Sequence, residues 1–295
     1  MIKKEGTREL SVFLLITLVM TSGIFIWMFH GGSENMLAVI LMMWTPGISA
    51  LLTLLICKKK LTSLGWRPGK LRFLAYAYLL PLLFSLVAYG LAWLTGLAGF
   101  SAEGPTTYRW AAMLGFTLPV PAIVGVLSKM FLGFLFTLVF VTGEEIGWSG
   151  FLTPQLLQHT SVPVTSLAVG LFWALWHYPA IIGGFYGQGT PLWVALPGFT
   201  MVMIALSFVR TVLVKRSGSL WTGAVLHASS NTILMGIFWE LTVQKGKAAY
   251  FVSETGVVVG AVSLLLSIAF WKMMDRQTKE NAGYQPVRKQ VNTME

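Results

Sequence analysis

Polar residues capable of acid–base chemistry stand inside three otherwise apolar segments of this sequence. Glu144 and Glu145 lie in Thr-Gly-Glu-Glu-Ile-Gly-Trp, His177 lies in Ala-Leu-Trp-His-Tyr-Pro, and His227 and Asn231 lie in His-Ala-Ser-Ser-Asn. A carboxylate beside an imidazole can hold and deprotonate a water molecule. A second imidazole and an amide supply hydrogen-bond donors for a developing oxyanion. These groups together predict hydrolysis of an amide bond without a covalent nucleophile.

The same residue types also suit a metal site. Glu144, His177 and His227 could bind a single zinc ion and leave its fourth position open, as catalytic zinc sites do. A site without a cofactor and a site with one zinc ion both fit these residues.

The spacing of these residues sets further expectations. Adjacent helical residues point about 100° apart, so only one of Glu144 and Glu145 can face the centre and the other needs a partner elsewhere. His227 and Asn231 are four residues apart and share a helix face. At ~1.5 Å rise per residue the polar groups fall in one layer, ~12–18 Å from the inner surface. We expect the site to open toward that inner side.

The composition indicates that the elements holding these residues cross a membrane. The 295 residues are 55% hydrophobic and 11% charged, with a mean hydropathy of +0.71. Soluble domains carry about a quarter charged residues, and a membrane-spanning helix needs ~20 apolar residues. Apolar runs fall near 10–29, 37–57, 73–96, 131–152, 166–186, 192–213, 219–239 and 251–273. We predict an all-α, polytopic membrane bundle of about eight helices, with one transmembrane domain over 1–273.

The basic residues predict how the bundle is oriented. With the N-terminus inside, most of the 21 Lys and Arg residues fall on the inner side, including those at 58–72, 210–216 and in the tail 274–295. Cytoplasmic loops carry this excess. The net charge of +10 therefore indicates membrane topology and not nucleic-acid binding. We expect both termini in the cytoplasm and the basic tail to be disordered.

One apolar segment does not fit the count of eight membrane-spanning helices. Residues 110–128 are nearly uncharged, but they contain Pro119 and Pro121, which break helix continuity. A further span there would place Lys215, Arg216 and the tail outside. We therefore expect an interfacial or re-entrant segment on the outer side.

The three motifs resemble those of a known family. Glu144-Glu145-x-x-Trp148, Trp176-His177-Tyr178-Pro179 and His227-x-x-x-Asn231 are similar, in order and on separate spans, to the motifs of the CAAX-protease and bacteriocin-processing family of intramembrane endopeptidases. The resemblance covers about residues 130–235.

The resemblance implies a glutamate-dependent endopeptidase acting on a membrane-embedded or lipid-anchored protein or peptide, in a bacterial cell membrane. Glu144 and His177 would activate water, and His227 and Asn231 would stabilise the oxyanion. Glu145 and Trp148 would support them. The family has been described both as metal-dependent and as metal-independent.

Two positions depart from the family's pattern. Ser149 stands where the first motif usually has Arg, so Glu145 has no evident partner nearby and Ser149→Arg should be tolerated. Trp173 stands where the second motif usually has Phe. The missing Arg favours an alternative function, a weakly active or inactive membrane protein that acts as an immunity or binding factor. A transporter is a further alternative, but the inverted repeats typical of transporters are not apparent in the sequence.

Overall fold

The fold is a bundle of long helices. The computed structural model describes residues 4–32, 36–102, 121–187 and 189–283. In this part of the chain we label the helices in order: α1 (Lys4–Trp27), α2 (Met36–Ile56), α3 (Leu71–Leu94), α4 (Ala122–Leu157), α5 (Val162–Ile182), α6 (Leu192–Ser217), α7 (Trp221–Ser230), α8 (Ala248–Phe251) and α9 (Val257–Gly283). A π-helical segment, Asn231–Phe238, extends α7.

The predicted membrane bundle is confirmed. Among the described residues, seven helices are long and apolar enough to cross a membrane: α1 to α6 and α9. The remaining predicted run, 219–239, corresponds to α7 and its extension, where His227, Ser229, Ser230 and Asn231 lower the hydropathy. Most of α7 is buried against its neighbours, because its polar groups need protein partners and not lipid.

Helix α4 is longer than predicted. It begins at Ala122 with Pro121 as its N-cap residue, and proline is tolerated there because the first helical N–H groups have no intrahelical partner. The prediction of a re-entrant segment is therefore wrong for residues 122–128, which continue without a break into the long helix. The preceding residues 103–120 lie outside the described part of the chain.

The bundle has two distinct ends. Residues 57–70 and 218–220 meet at one end, where Leu220 N–H donates to Gly65 O at 3.0 Å. We call it the basic end, because Lys58, Lys59, Lys60, Arg67, Lys70 and Lys215 are exposed there. Residues 183–187 and 239–256 lie at the opposite, far end, where a two-stranded antiparallel sheet pairs β1 (Gly99–Phe100) with β2 (Thr242–Val243).

The C-terminal helix corrects the prediction for the tail. Helix α9 continues to Gly283, so the first ten residues of the predicted disordered tail are helical. Arg216 at the end of α6 donates to the Met274 carbonyl and the Thr278 hydroxyl. These bonds hold the extension of α9 against α6. Residues 284–295 lie outside the described part of the chain.

Close packing of α2 on α4 fixes the region that carries the paired glutamates. A Cβ added at Gly143 would lie 2.6 Å from Trp44 Cγ, and one at Gly147 would lie 2.5 Å from Pro46 Cβ. Glycine at both positions lets the two backbones approach. The contact places Glu144 and Glu145 at a rigid helix–helix interface.

Candidate active site

The four residues predicted to be catalytic line one cavity. Glu144, His177, His227 and Asn231 come from α4, α5 and α7 with its extension, and all four contribute to the wall of a cavity of about 200 Å³. The rest of the wall is mainly apolar and aromatic, a lining typical of ligand sites. It includes Phe25, Met42, Trp176, Phe199, Met203 and Leu234.

Helix α4 changes its winding at the paired glutamates. The α-helical part ends at Glu145, and Ile146–Leu152 is π-helical. The extension of α7 is also π-helical and begins at Asn231. Local π segments in α-helices occur frequently at functional sites, because they re-aim side chains and loosen the regular hydrogen bonding.

Two indole groups hold the Glu144 carboxylate. Trp173 Nε1 donates to Glu144 Oε2 at 2.9 Å, and Trp148 Nε1 donates to the same oxygen at 3.3 Å. No hydrogen bond to the other oxygen, Oε1, occurs among the described residues. Glu144 is only 3% exposed. Its orientation is therefore fixed by bonds to one oxygen only.

Glu145 points away from the cavity into a buried ion-pair network. Its Oε1 accepts from Arg210 Nη2 at 2.8 Å and from His227 Nδ1 at 3.1 Å. The Ser149 hydroxyl donates to its Oε2. The expectation that one glutamate faces the centre and the other has a separate partner agrees with this geometry. The statement that Glu145 has no evident partner is wrong, because Arg210 provides the charge from α6.

Arg210 also departs from its predicted place. We counted it among the basic residues of the inner surface, but it is fully buried in the bundle. Its guanidinium carbon lies 4.1 Å from the centre of the Trp173 ring, a cation–π contact. Arg210 thus contacts Glu145 directly and also contacts the indole that binds Glu144.

Trp173 links all parts of the site. Besides its bond to Glu144 and its contact with Arg210, its ring packs edge-on against His227 at 4.9 Å between centroids. Its carbonyl accepts from His177 Nδ1 at 3.0 Å. The sequence marked Trp173 only as a mild aromatic replacement of Phe. The signal for a larger role is the indole N–H, which phenylalanine lacks and which a buried carboxylate can accept from.

The two imidazoles differ in their partners. Because a carbonyl can only accept, His177 donates through Nδ1, which leaves Nε2 for other partners. The His177 ring is packed by Trp176 at 4.7 Å and Phe199 at 5.0 Å between centroids. His227 donates through Nδ1 to Glu145. Each imidazole is therefore oriented through Nδ1.

The three residues predicted as possible zinc ligands, Glu144, His177 and His227, all line the cavity. No group of three His, Cys, Asp or Glu side chains within the described ranges could hold a metal ion. Glu144 Oε2 is occupied by two indole N–H groups, and both imidazoles are already bonded through Nδ1. Zinc binding by Glu144, His177 and His227 stays a prediction from the sequence.

The cavity opens away from the end that we expected. Its wall includes Met28 near the end of α1, Val39 near the start of α2, and Tyr186 and Glu254 in the far-end loops. Tyr186 donates a hydrogen bond to Glu254 there. A separate hollow at the basic end contains Ser149 and Lys215 but none of the four predicted catalytic residues. The positions of the polar residues along their helices did not predict the direction in which the cavity opens. Side-chain packing closes the cavity toward the basic end.

Trp173→Phe should reduce the turnover of this site about tenfold or more. Phenylalanine keeps most of the ring packing but removes the 2.9 Å bond to Glu144. Hydrogen bonds to charged groups contribute about 1.5–3 kcal/mol, and ~1.4 kcal/mol corresponds to a factor of ten in rate. Trp93→Phe is the matched control, because its indole binds Thr242 at the far end. Comparable initial rates for both variants would show that the indole bond does not matter.

Ser149→Arg should destabilise the protein, which reverses the expectation from the sequence. Ser149 is 1% exposed, and a Cβ on the facing Gly223 would lie 1.8 Å from Ser149 Oγ, so a longer side chain must displace its neighbours to reach the hollow at the basic end. A second guanidinium beside Arg210 adds repulsion. We expect a loss of ~1–3 kcal/mol from overpacking alone, measured by thermal unfolding. Ser149→Ala, the control, should stay close to wild type. An unchanged melting temperature for Ser149→Arg would contradict this packing argument.

Comparisons with known proteins agree on the segment that carries the cavity. The family model described as Type II CAAX prenyl endopeptidase Rce1-like matches residues 125–233. CAAX prenyl protease 2 of Methanococcus maripaludis is 40% identical over 55 residues, which are 18% of this chain. The alignment covers 20% of that relative's length. Glu144, His177, His227 and Asn231 all fall within the matched segment. Residues 125–233 of this chain are therefore similar to the Rce1-like CAAX prenyl endopeptidases.

Proposed function

We propose that the protein is an intramembrane endopeptidase that hydrolyses a peptide bond of a membrane-embedded or lipid-anchored protein or peptide. The observation that carries the proposal is the asymmetric binding of the Glu144 carboxylate. Both indole bonds go to Oε2, so Oε1 is available to a water molecule in the cavity. A positioned carboxylate of this kind is a general base.

The proposed reaction uses the four predicted residues in distinct roles. Glu144 takes a proton from water while His177 Nε2 accepts the second hydrogen bond of that water. The resulting hydroxide attacks the carbonyl carbon of the substrate. Asn231 and His227 donate to the oxyanion, and groups of this kind contribute about 10²–10³-fold each. Glu144 then gives its proton to the amine nitrogen as the C–N bond breaks, which yields a carboxylate and an amine.

Glu145 and Arg210 support His227 in this proposal. The Nδ1–H of His227 is bonded to Glu145, and the negative carboxylate stabilises a positive imidazolium whose Nε2–H can donate to the oxyanion. Arg210 pairs with Glu145 in a fully buried place. The argument for an inactive immunity or binding protein rested on the missing Arg at position 149. Arg210 removes that argument.

The substrate class follows from the cavity wall. Its apolar and aromatic side chains suit an apolar peptide segment or a lipid anchor and disfavour a free, charged peptide. The partners we propose are therefore a membrane-anchored polypeptide and the surrounding bilayer, with the protein in a cell membrane.

The test is proteolysis by purified protein in lipid vesicles, with an acylated peptide library as substrate. We expect cleavage to persist after treatment with EDTA and 1,10-phenanthroline, because the described side chains do not converge as metal ligands. Loss of cleavage on chelation, with recovery on adding zinc, would contradict the metal-free mechanism and would favour a zinc-dependent one. No cleavage of any peptide by the folded protein would count against the protease itself.

A further inference from the structure

We infer that the catalytic cavity opens to the extracytoplasmic side of the membrane, so that the substrate is cut in the outer half of the bilayer. The inference rests on the proposed function for the cutting step. The side of opening depends only on the shape of the cavity and the distribution of charge.

The cavity lies in the far-end half of the bundle. Helix α1 begins at the basic end, where Glu9 pairs with Lys59 at 3.0 Å. Its opposite end lines the cavity, through Phe25 in its last turn and Met28 directly after it. Helix α2 runs back toward the basic end, and its contribution comes from its first turns, Val39 to Met43. Both helices therefore line the cavity only in their far-end halves.

Between Glu144 and the basic end, buried side chains close the cavity. The Glu145, Arg210 and Ser149 side chains are each at most 1% exposed. They fill the layer between the cavity and the basic end. The ion pair and its hydrogen bonds form the polar wall that closes the cavity toward the basic end. A peptide can reach Glu144 from the far end but would have to displace this network from the basic end.

The distribution of basic residues predicts the orientation of the bundle in the membrane. Exposed Lys and Arg residues crowd the basic end, in the loop at 57–70, at Lys215 and at Arg276 on the extension of α9. At the far end, Lys245 and Lys247 are exposed, and Lys129 is paired with Glu240. The positive-inside rule places the richer end in the cytoplasm. The far end, with the mouth of the cavity, then faces outward.

The consequence is a definite substrate class. The scissile bond must lie in the outer leaflet or just outside it, in a translocated or outward-anchored polypeptide. Cytoplasmic proteins anchored by lipid to the inner leaflet present their scissile bond on the wrong side. The apolar wall near the mouth, with Val39 and Met43, suits the apolar residues that flank such a bond.

Labelling of single cysteines tests the direction of opening. In a Cys57→Ser background, Lys247→Cys reports the far end, Lys60→Cys the basic end and Val39→Cys the cavity. A membrane-impermeant maleimide added to intact cells should label Lys247→Cys and Val39→Cys, and should label Lys60→Cys only after permeabilisation. Labelling of Val39→Cys together with Lys60→Cys, from the cytoplasmic side, would overturn the inference.

Oriented vesicles test the consequence for the substrate. Vesicles of phosphatidylethanolamine and phosphatidylglycerol can be captured through biotin on Lys247→Cys or on Lys60→Cys, which selects the two orientations. An acylated peptide added outside should be cut at least ~10-fold faster when the far end faces out, and Glu144→Gln vesicles give the background. Equal or reversed rates would overturn the inference. If neither orientation cuts but the labelling pattern holds, the proposed protease fails while the outward opening stands.

Discussion

Glu144→Gln is expected to lower the rate of peptide cleavage by about 10²–10⁴-fold, the usual loss when a positioned base is removed. Glutamine keeps the size of the side chain, and its amide oxygen can still accept from Trp173 and Trp148. It has no charge with which to take a proton from water. The fold should therefore persist while catalysis is lost. The measurement is the single-turnover rate in vesicles, with thermal unfolding to verify the fold.

Glu240→Gln is the matched control for this experiment. Glu240 undergoes the same chemical change, but it pairs with Lys129 outside the cavity. Its cleavage rate should stay within about twofold of wild type, since the variant leaves the reacting groups intact. His177→Ala should lose a similar amount to Glu144→Gln. Full activity in both Glu144→Gln and His177→Ala would leave a non-catalytic membrane protein as the better account.

Arg210→Gln is expected to have the largest effect on stability. Removing one member of a buried ion pair leaves the other charge uncompensated and costs about 3–5 kcal/mol. Arg210 and Glu145 are both 0% exposed, so water cannot replace the guanidinium without reorganising the bundle. The contact with Trp173 is lost in the same variant. Chemical unfolding in detergent, followed by tryptophan fluorescence, measures the loss.

A double variant separates charge compensation from catalysis. Glu145→Gln combined with Arg210→Gln removes both charges, and two facing amides can bond to each other, so most of the lost stability should return. Cleavage should not return, because His227 no longer has a carboxylate at Nδ1. Wild-type stability in the single Arg210→Gln variant would contradict the role of this pair. Recovery of cleavage in the double variant would contradict the role of Glu145 in supporting His227.

The residues at the centre of the site could be predicted because their signals are local. Charged or polar groups inside an apolar run are costly, so Glu144, His177 and His227 stand out against their surroundings. The four-residue step from His227 to Asn231 places both on one helix face. The same hydropathy predicted the spans. These inferences need only composition and helical spacing.

The supporting network could not be predicted because it depends on packing between distant helices. Arg210 is close in sequence to Lys215 and Arg216, and with them it resembled a charge at the membrane surface. A weak signal was present, since Arg210 lies three residues before the end of the apolar run 192–213, and Ser207 and Thr211 lie close to it in sequence. Only the pairing of α6 with α4 shows its partner, Glu145, 65 residues away in sequence.

Two further features were mispredicted for physical reasons. Pro121 predicted a break, but a proline at the N-cap position starts a helix without loss of an intrahelical hydrogen bond. The positions of the polar residues along their helices predicted that the site opens toward the basic end. These positions do not show which side of the site other side chains fill. The Ser149, Glu145 and Arg210 side chains close that side.

The most direct test of the account is cleavage in water enriched in ¹⁸O, analysed by mass spectrometry. Purified protein in vesicles is incubated with an acylated peptide, and the products are compared with those of Glu144→Gln. Activated water should leave one ¹⁸O atom in the new carboxylate of the first product, with no peptide attached to the enzyme. Glu144→Gln should give almost no product. An intact peptide with folded wild-type protein, or a covalent peptide–enzyme adduct that precedes product release, would contradict the account.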